Sequence, residues 1–369
     1  MPRVLSGFQL RNLGSSQSRL MNFGAERKKQ APGLLLLAAF VGFLGWYFCA
    51  SYIGRHGAWR THQQRMLTPH DDLFGIDGRP DGNQVVVGRF GLILLSRDGG
   101  QNWQERPSGT NQALSAASFA DARHGFIVGS RGTILTTGDG GVSWRAQRSG
   151  TSEHLLGVYA SSPMVVHVVG AFGTLVSTFD GGRTWRHHQF SWGRLIPLIT
   201  KESGMLQPNL NAVYFADPAT GWIVGEFGLI LHTADGGRTW IAQAYGSNRP
   251  QLFAVTFRDK NTGWSVGQRG AVLRTTDGGW HWVPVDVGTR RSLYGISFAA
   301  GRGLIVGDGV VLSSEDEDSS WRKLDKGPEN YWLSGATVGN RQAMVVGQGG
   351  TIRVLDLSAT ILRPEGATP

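Results

Sequence analysis

Two sets of side chains in this 369-residue chain recur regularly enough to do chemistry, one anionic and one cationic. The anionic set is Asp98, Asp139, Asp180, Asp235 and Asp277. Each lies two residues after a Ser or Thr and five before a Trp, namely Trp103, Trp144, Trp185, Trp240 and Trp282. A carboxylate so placed can ligate a cation or a sugar hydroxyl, or it can accept hydrogen bonds from the amides of a tight turn. A Gly-Gly pair follows each Asp, which favours the turn, because glycine tolerates the backbone reversal that other residues resist. The Trp is then a rigid apolar plate suited to the gap between neighbouring units. A structural role is expected for all ten residues, with no metal and no catalytic function.

The cationic set depends on a second constant element, an apolar run closing in a glycine: Gly88, Gly129, Gly170, Gly225, Gly267, Gly307 and Gly347. Their separations are 41, 41, 55, 42, 40 and 40 residues. The residues after each glycine are Arg89-Phe90, Ser130-Arg131, Ala171-Phe172, Glu226-Phe227, Gln268-Arg269, Asp308 and Gln348-Gly349. Arginine beside aromatics is the composition of protein-binding hot spots. Arg89, Phe90, Arg131, Phe172, Phe227 and Arg269 are therefore the candidate partner-binding residues. Arg145, Arg148, Arg186, Arg290 and Arg291 are expected in the links beside them.

Stepping from the residues to what must hold them, one repeat contains four short alternating apolar segments. In the fourth copy these are Leu210–Phe215, Gly221–Gly225, Leu229–Thr233 and Thr239–Ala242. Period-two segments of this length are strands, and four per roughly forty residues make a propeller blade. The glycines count seven blades, so the expected class is all-β, a seven-bladed β-propeller over residues 69–364. In that architecture the loop after the second strand opens on the same face as the links between blades. The Asp turns then lie on the opposite face. Copy six is worn, with Glu315-Asp316-Glu317-Asp318 in place of the glycine pair, and reads as a solvated turn. Copy seven lacks the Trp phrase; its fourth strand is expected from Thr360–Leu362 or from the region of Met66. The link after the third copy, 190–209, is long and apolar, so its Trp192 joins the candidate partner-binding set.

Other chemistries find less support. Glycoside hydrolysis needs two carboxylates facing one another, and Glu226 and Asp308 are the only acids in the seven loops. No motif assigns a nucleophile role to Tyr214 or Tyr294. His187-His188 has no second pair at metal-ligand spacing. The recurring Gly-x-x-Gly precedes no helix and is not a phosphate loop. No cofactor is implied. Cys49 is the sole cysteine, so no disulfide forms within one chain.

Upstream the composition changes. Residues 1–30 form a basic tail expected in the cytoplasm, 31–54 a transmembrane helix and 55–68 a tether. Gly33–Ile53 carries no charge and at ~1.5 Å per residue matches a bilayer core. It exceeds a signal-peptide core, so an uncleaved anchor is expected. The heavier positive charge precedes it, which keeps the N-terminus in the cytoplasm and delivers the propeller to the periplasm of a bacterial inner membrane, or alternatively to a thylakoid lumen. The chain has 36 basic and 27 acidic residues. Nine basic and one acidic of these precede residue 66, leaving the propeller nearly neutral. The basic balance is thus a topology signal rather than a nucleic-acid footprint.

The Ser/Thr-x-Asp-x-Gly-x-x-Trp phrase matches the Asp-box of many propellers. The whole repeat, Leu-x-x-Val-x-Phe, Gly-Trp-x-Val-Gly-x-x-Gly-x-Ile-Leu and Thr-x-Asp-Gly-Gly-x-Thr-Trp, resembles the photosystem II stability/assembly factor family over roughly residues 70–356. That resemblance implies a non-enzymatic assembly factor that holds a membrane-protein partner through an arginine-rich face; the uncleaved anchor expected here is a departure from the family, and makes this chain a membrane-anchored scaffold. Two further readings are a sialidase-like or glycan-binding propeller and an accessory subunit of an envelope transporter.

Overall fold

The structure, a computed structural model, describes residues 67–79, 81–195, 207–243, 249–299, 301–315, 320–324, 333–338 and 342–357. Within them lie seven antiparallel sheets in which each strand pairs with its sequence neighbour: six of four strands and one of three. Blade 4 is representative, with strands Leu210–Phe215, Gly221–Gly225, Ile230–Thr233 and Ile241–Gln243. Its outer two strands begin one and two residues later than the sequence pattern suggests: Leu229 N is bonded to the Glu226 carbonyl in the preceding loop, and Thr239 N to Asp235 in the Asp turn. The inner strands are Leu73–Gly78, Leu114–Phe119, Leu155–Ala160, Leu210–Phe215, Leu252–Phe257, Leu293–Ala299 and Leu333–Val338. Each packs on the next, and the last packs on the first, so the sheets close a seven-membered ring.

Period-two alternation sends successive side chains to the two neighbouring blades. Val85 and Val87 pack with Leu114, Ile127 and Trp144 of blade 2, whereas Val86 packs with Met344 and Val346 of blade 7. Both faces of each sheet are covered in this way, which is why the second strands read as continuous apolar runs. The repeated Trp sits at the joint with the preceding blade, as Trp240 does beside Val169 and Leu175. At the joint of blades 6 and 7 the described apolar residues include Leu357 and no Trp.

Blade 7 has three strands among the described residues; both segments expected to supply its fourth, Thr360–Leu362 and the region of Met66, lie outside them. The ring closes through Ser334 Oγ donating to the Leu73 carbonyl (2.6 Å) and Gly350 N donating to that of Asp71 (2.7 Å). The expected transmembrane helix, 31–54, and most of the tether also lie outside the described residues. No helix among the described residues is long and apolar enough to cross a membrane.

Candidate functional site

The two faces of the ring are chemically distinct. On one, each Asp turn folds back on the loop between the first two strands of its own blade, as Gly236 N does on the Ala219 carbonyl (2.8 Å). Thr178 Oγ1 and Thr184 Oγ1 donate to Asp180 at 2.8 and 2.6 Å, and the Thr184 amide adds a bond of 2.9 Å. The Thr184 hydroxyl and amide hold that carboxyl down at about 2. The His281 amide does the same for Asp277, aided by the His281 ring at 2.6 Å. Asp98, Asp139 and Asp235 bind their own turns likewise. Three of the tryptophans, Trp103, Trp144 and Trp240, donate to the carbonyl of the second turn glycine at 3.1–3.2 Å. Trp185 donates to Gln147 Oε1 instead, and Trp282 Nε1 is buried without a partner. The hydrogen-bonding capacity of these carboxylates is directed inward at the turn. Among the described residues no cluster of His, Cys, Asp or Glu could hold a metal ion.

The opposite face carries the loops after each Val-Gly. The glycine is needed there because the link entering the same blade crosses directly over it: a Cβ on Gly225 would lie 2.2 Å from the Asn209 carbonyl oxygen. The same link carbonyl accepts the next amide, Glu226 N, at 3.1 Å. The chain then makes one turn of 3-10 type whose middle residue is left-handed. That residue is Phe90 (φ 57°), Arg131 (54°), Phe172 (51°), Phe227 (55°) or Arg269 (58°), and in blade 7 it is Gly349 (64°). The first five are the only non-glycine residues with positive φ among the described residues. Blade 6 departs with a two-residue turn, Asp308-Gly309.

Five candidate partner-binding residues thus occupy one structurally equivalent position. Phe90 and Phe172 are 62% and 63% exposed, Arg131 and Arg269 are exposed, and Phe227 is half-buried. Arg89 precedes Phe90, lies 5.8 Å from its ring centroid and pairs with Asp72 at 3.2 Å. Trp192 is not part of the exposed set. It is 8% exposed, opens a four-residue helix, Trp192–Leu195, packs 4.6 Å from Phe190 and covers Gly173. Its indole packs against the blade 3 loop at Gly173. Arg145, Arg148 and Arg186 also depart from expectation: they lie on the outermost strands, Arg145–Arg148 and Arg186–His187, at the rim. Arg290 and Arg291 do lie in a link, where Arg291 donates to the Asp308 carbonyl at 3.2 Å.

Two residues missed by sequence reasoning tie the loops together. Asp72 and Asn209 each stand one residue before an inner strand. The Asn209 Oδ1 accepts from Phe172 N (3.0 Å), while its amide nitrogens donate to both oxygens of Glu226 at 2.9 and 3.1 Å. Asp72 accepts from Gly349 N (3.1 Å) and pairs with Arg89. Each therefore links the loops of two adjacent blades. The signal available in the sequence was an Asx directly before the leucine that opens the strand. Both Glu226 oxygens are engaged by Asn209, Tyr214 donates to the Phe257 carbonyl (2.8 Å), and His187 and His188 face Ser149 O and Ser177 Oγ.

Seven antiparallel sheets closed in a ring, six of four strands and one of three among the described residues, with one face built of short loops, define the chain as a seven-bladed β-propeller. Residues 148–250 and 247–356 match the family profile described as photosynthesis system II assembly factor YCF48, and together they exceed half the chain. The protein belongs to that family. Its fold is shared by YCF48 from Cyanidioschyzon merolae, 20% identical with a TM-score of 0.65 over 78% of this chain and 97% of that one. It is shared by a YCF48 bound to D1 peptide, 17% identical with a TM-score of 0.61 over 77% and 93%. A GH74 enzyme of Niastella koreensis, 14% identical, has a TM-score of 0.62 over 80% of this chain and 53% of its own. At such identities the likeness is one of fold. No curated protein matches the chain.

Proposed function

We propose that the protein is a non-enzymatic scaffold that holds a segment of a membrane-protein partner on the loop face carrying Arg89, Phe90, Arg131, Phe172, Phe227 and Arg269. The observation that carries this reading is the left-handed backbone repeated at five non-glycine positions. Left-handed backbone disfavours residues with a Cβ by ~1–2 kcal/mol, and glycine at Gly349 fits the same turn without that cost. Strain kept at equivalent positions of one surface marks a surface in use. The turn points Arg and Phe side chains away from the blades, which supplies both a charge and an apolar plate to a bound segment. Family membership supports the assembly role, and the relative bound to a D1 peptide shows that this architecture can hold a piece of another protein. The uncharged stretch within 31–54 supports a membrane tether with the propeller outside the cytoplasm.

The test is affinity capture of the tagged full-length protein from detergent-solubilised membranes. The wild-type protein is expected to recover a membrane protein, and replacement of Arg89, Arg131 and Arg269 by Glu is expected to abolish recovery while the melting temperature is kept. Recovery unchanged by the three charge reversals refutes the reading.

A further inference from the structure

Each of the seven inner strands carries a β-bulge at its second residue. In blade 4 Leu210 pairs with Gly225 and Ala212 with Val224, so Asn211 is the extra residue; the register shifts at the same place in every other blade. The bulged residues are Phe74, Ser115, Leu156, Asn211, Phe253, Tyr294 and Ser334. A bulge re-aims a side chain out of the regular pleat and recurs beside functional sites. Here all seven line one central cavity of about 260 Å³, with Gly75, Ala116, Gly157 and their equivalents as the next tier. The bulges sit at the strand ends that meet the Val-Gly loops, so this cavity opens on the loop face.

We propose that the channel mouth ringed by these seven bulged residues is the pocket for one uncharged aromatic or aliphatic side chain of an acidic peptide segment held by the surrounding arginine and phenylalanine loops. The proposal rests on the loop-face reading above and adds what the partner must present. No lining residue is charged, so a charged side chain would lose its water without gaining a counter-charge. Of the four polar lining side chains, Tyr294 contributes its ring to the wall and the other three are engaged elsewhere. Ser115 Oγ bonds His154 Nε2 (2.9 Å), Asn211 Nδ2 donates to the Leu252 carbonyl (2.6 Å) and Ser334 Oγ to that of Leu73 (2.6 Å). Phe253 and Tyr294 form an aromatic wall, their ring centroids 5.3 Å apart at 54°, to which a third ring can add edge or offset contacts. At ~30 Å³ per water the cavity has room for about eight or nine waters, enough for one large side chain and too little for a folded element. Arg89, Arg131 and Arg269 at the rim complement acidic residues on either side of the inserted one.

The experiment is fluorescence anisotropy with the full-length protein in detergent. The probes are two short fluorescein-labelled peptides in which Asp and Glu residues flank a single Phe, or Ala in its place. The Phe peptide is expected to bind at least about tenfold more tightly than the Ala peptide. Leu156→Trp, which fills the mouth, and Phe253→Ala, which removes half of the aromatic wall, are each expected to reduce that ratio to near one. The pair Arg89→Glu and Arg269→Glu should weaken both peptides and leave the ratio intact. A Phe preference that survives in both channel variants, or none in the wild-type protein, overturns the channel proposal. If charge reversal still weakens both peptides, the loop face stands without it; if neither peptide binds the wild-type protein, both readings fall.

Discussion

Exchanging Phe90 for glycine and, separately, for alanine separates the strain of the loop from the contacts of its side chain. At φ 57° the backbone is left-handed, which disfavours any residue with a Cβ by ~1–2 kcal/mol. Glycine escapes that penalty but loses ~0.5–1 kcal/mol more in backbone entropy on folding. Phe90 is 62% exposed, so either variant gives up little apolar burial, together with the Arg89 contact at 5.8 Å, ~0.5–1 kcal/mol at an exposed site. The alanine variant keeps the strain and loses the ring. Phe90→Gly should therefore be more stable than Phe90→Ala by ~1 kcal/mol, the reverse of the order in a helix or strand. Thermal melts resolve this poorly. An unfolding entropy of ~2.1 cal/mol/K per residue makes 1 kcal/mol only about 1.5 °C in a propeller of roughly 290 residues. Urea unfolding followed by tryptophan fluorescence is the assay, with the midpoint read at constant slope. An alanine variant equal to or more stable than the glycine variant would refute the argument from strain, and with it the main support for the loop face. If the ring serves a partner, both variants should lose capture to the same extent whatever their stability.

Asp77 gives a pH-dependent outcome. Burial pushes its carboxyl up to about 6, against the Phe119 amide at 2.9 Å and Arg79, which favour the charged form. Its contribution is therefore fully present below the unfolded value near 4 and is lost as pH rises through about 6. Two pKa units correspond to at most about 3 kcal/mol, and the residue's partial exposure brings the expected effect to ~1–2 kcal/mol. Asp77→Asn keeps the acceptor, so it should exceed the parent by that amount at pH 8 and match it at pH 4; equal differences at both pH values would remove Asp77 as the cause. Trp222 is fully buried, stacks at 3.5 Å on Phe257 and donates to the Gly278 carbonyl. Trp222→Ala should cost ~3–5 kcal/mol in urea unfolding, and a loss below 1 kcal/mol would mean that the joint of blades 4 and 5 repacks.

The blades were legible in the sequence because each rule acts over a few residues. The glycines of the Val-Gly runs are spaced by the crossing of a link carbonyl, as at Gly225, and the turn phrases by the reach of an Asp side chain. What escaped depends on contacts between copies. Nothing local distinguishes Asn209 from other polar link residues, since its role lies in joining the Phe172 and Glu226 loops. The burial of Trp192 could not be read from the sequence, because its neighbours Gly173 and Phe190 are brought to it only when the link folds back. Arg145, Arg148 and Arg186 were displaced by a boundary: the fourth strands run beyond the Trp, which carries these residues onto the rim. The left-handed turns had one visible cue, Gly349 aligned with Phe90, Arg131 and Arg269, but a single glycine among seven copies is weak without coordinates. The bulges left no cue, because an extra residue at a strand's second position does not disturb the alternation that follows it.

The seam between blades 1 and 7 has a consequence for how the molecule is made. Its bonds join Ser334 to Leu73 and Gly349 to Asp72, residues 261 and 277 apart, whereas most joints elsewhere connect segments about 41 apart. On loop-closure entropy alone that joint costs about 1.5 kcal/mol more to form than the others. It should close last and reopen first. During synthesis the emerging chain is then an open crescent. One tip exposes Leu73, Val86 and Leu94 until Met344, Val346 and Ile352 arrive to cover them. A nascent propeller of this kind is adhesive at both tips until its seventh blade is complete, so truncation within that blade should produce aggregation rather than a smaller ring.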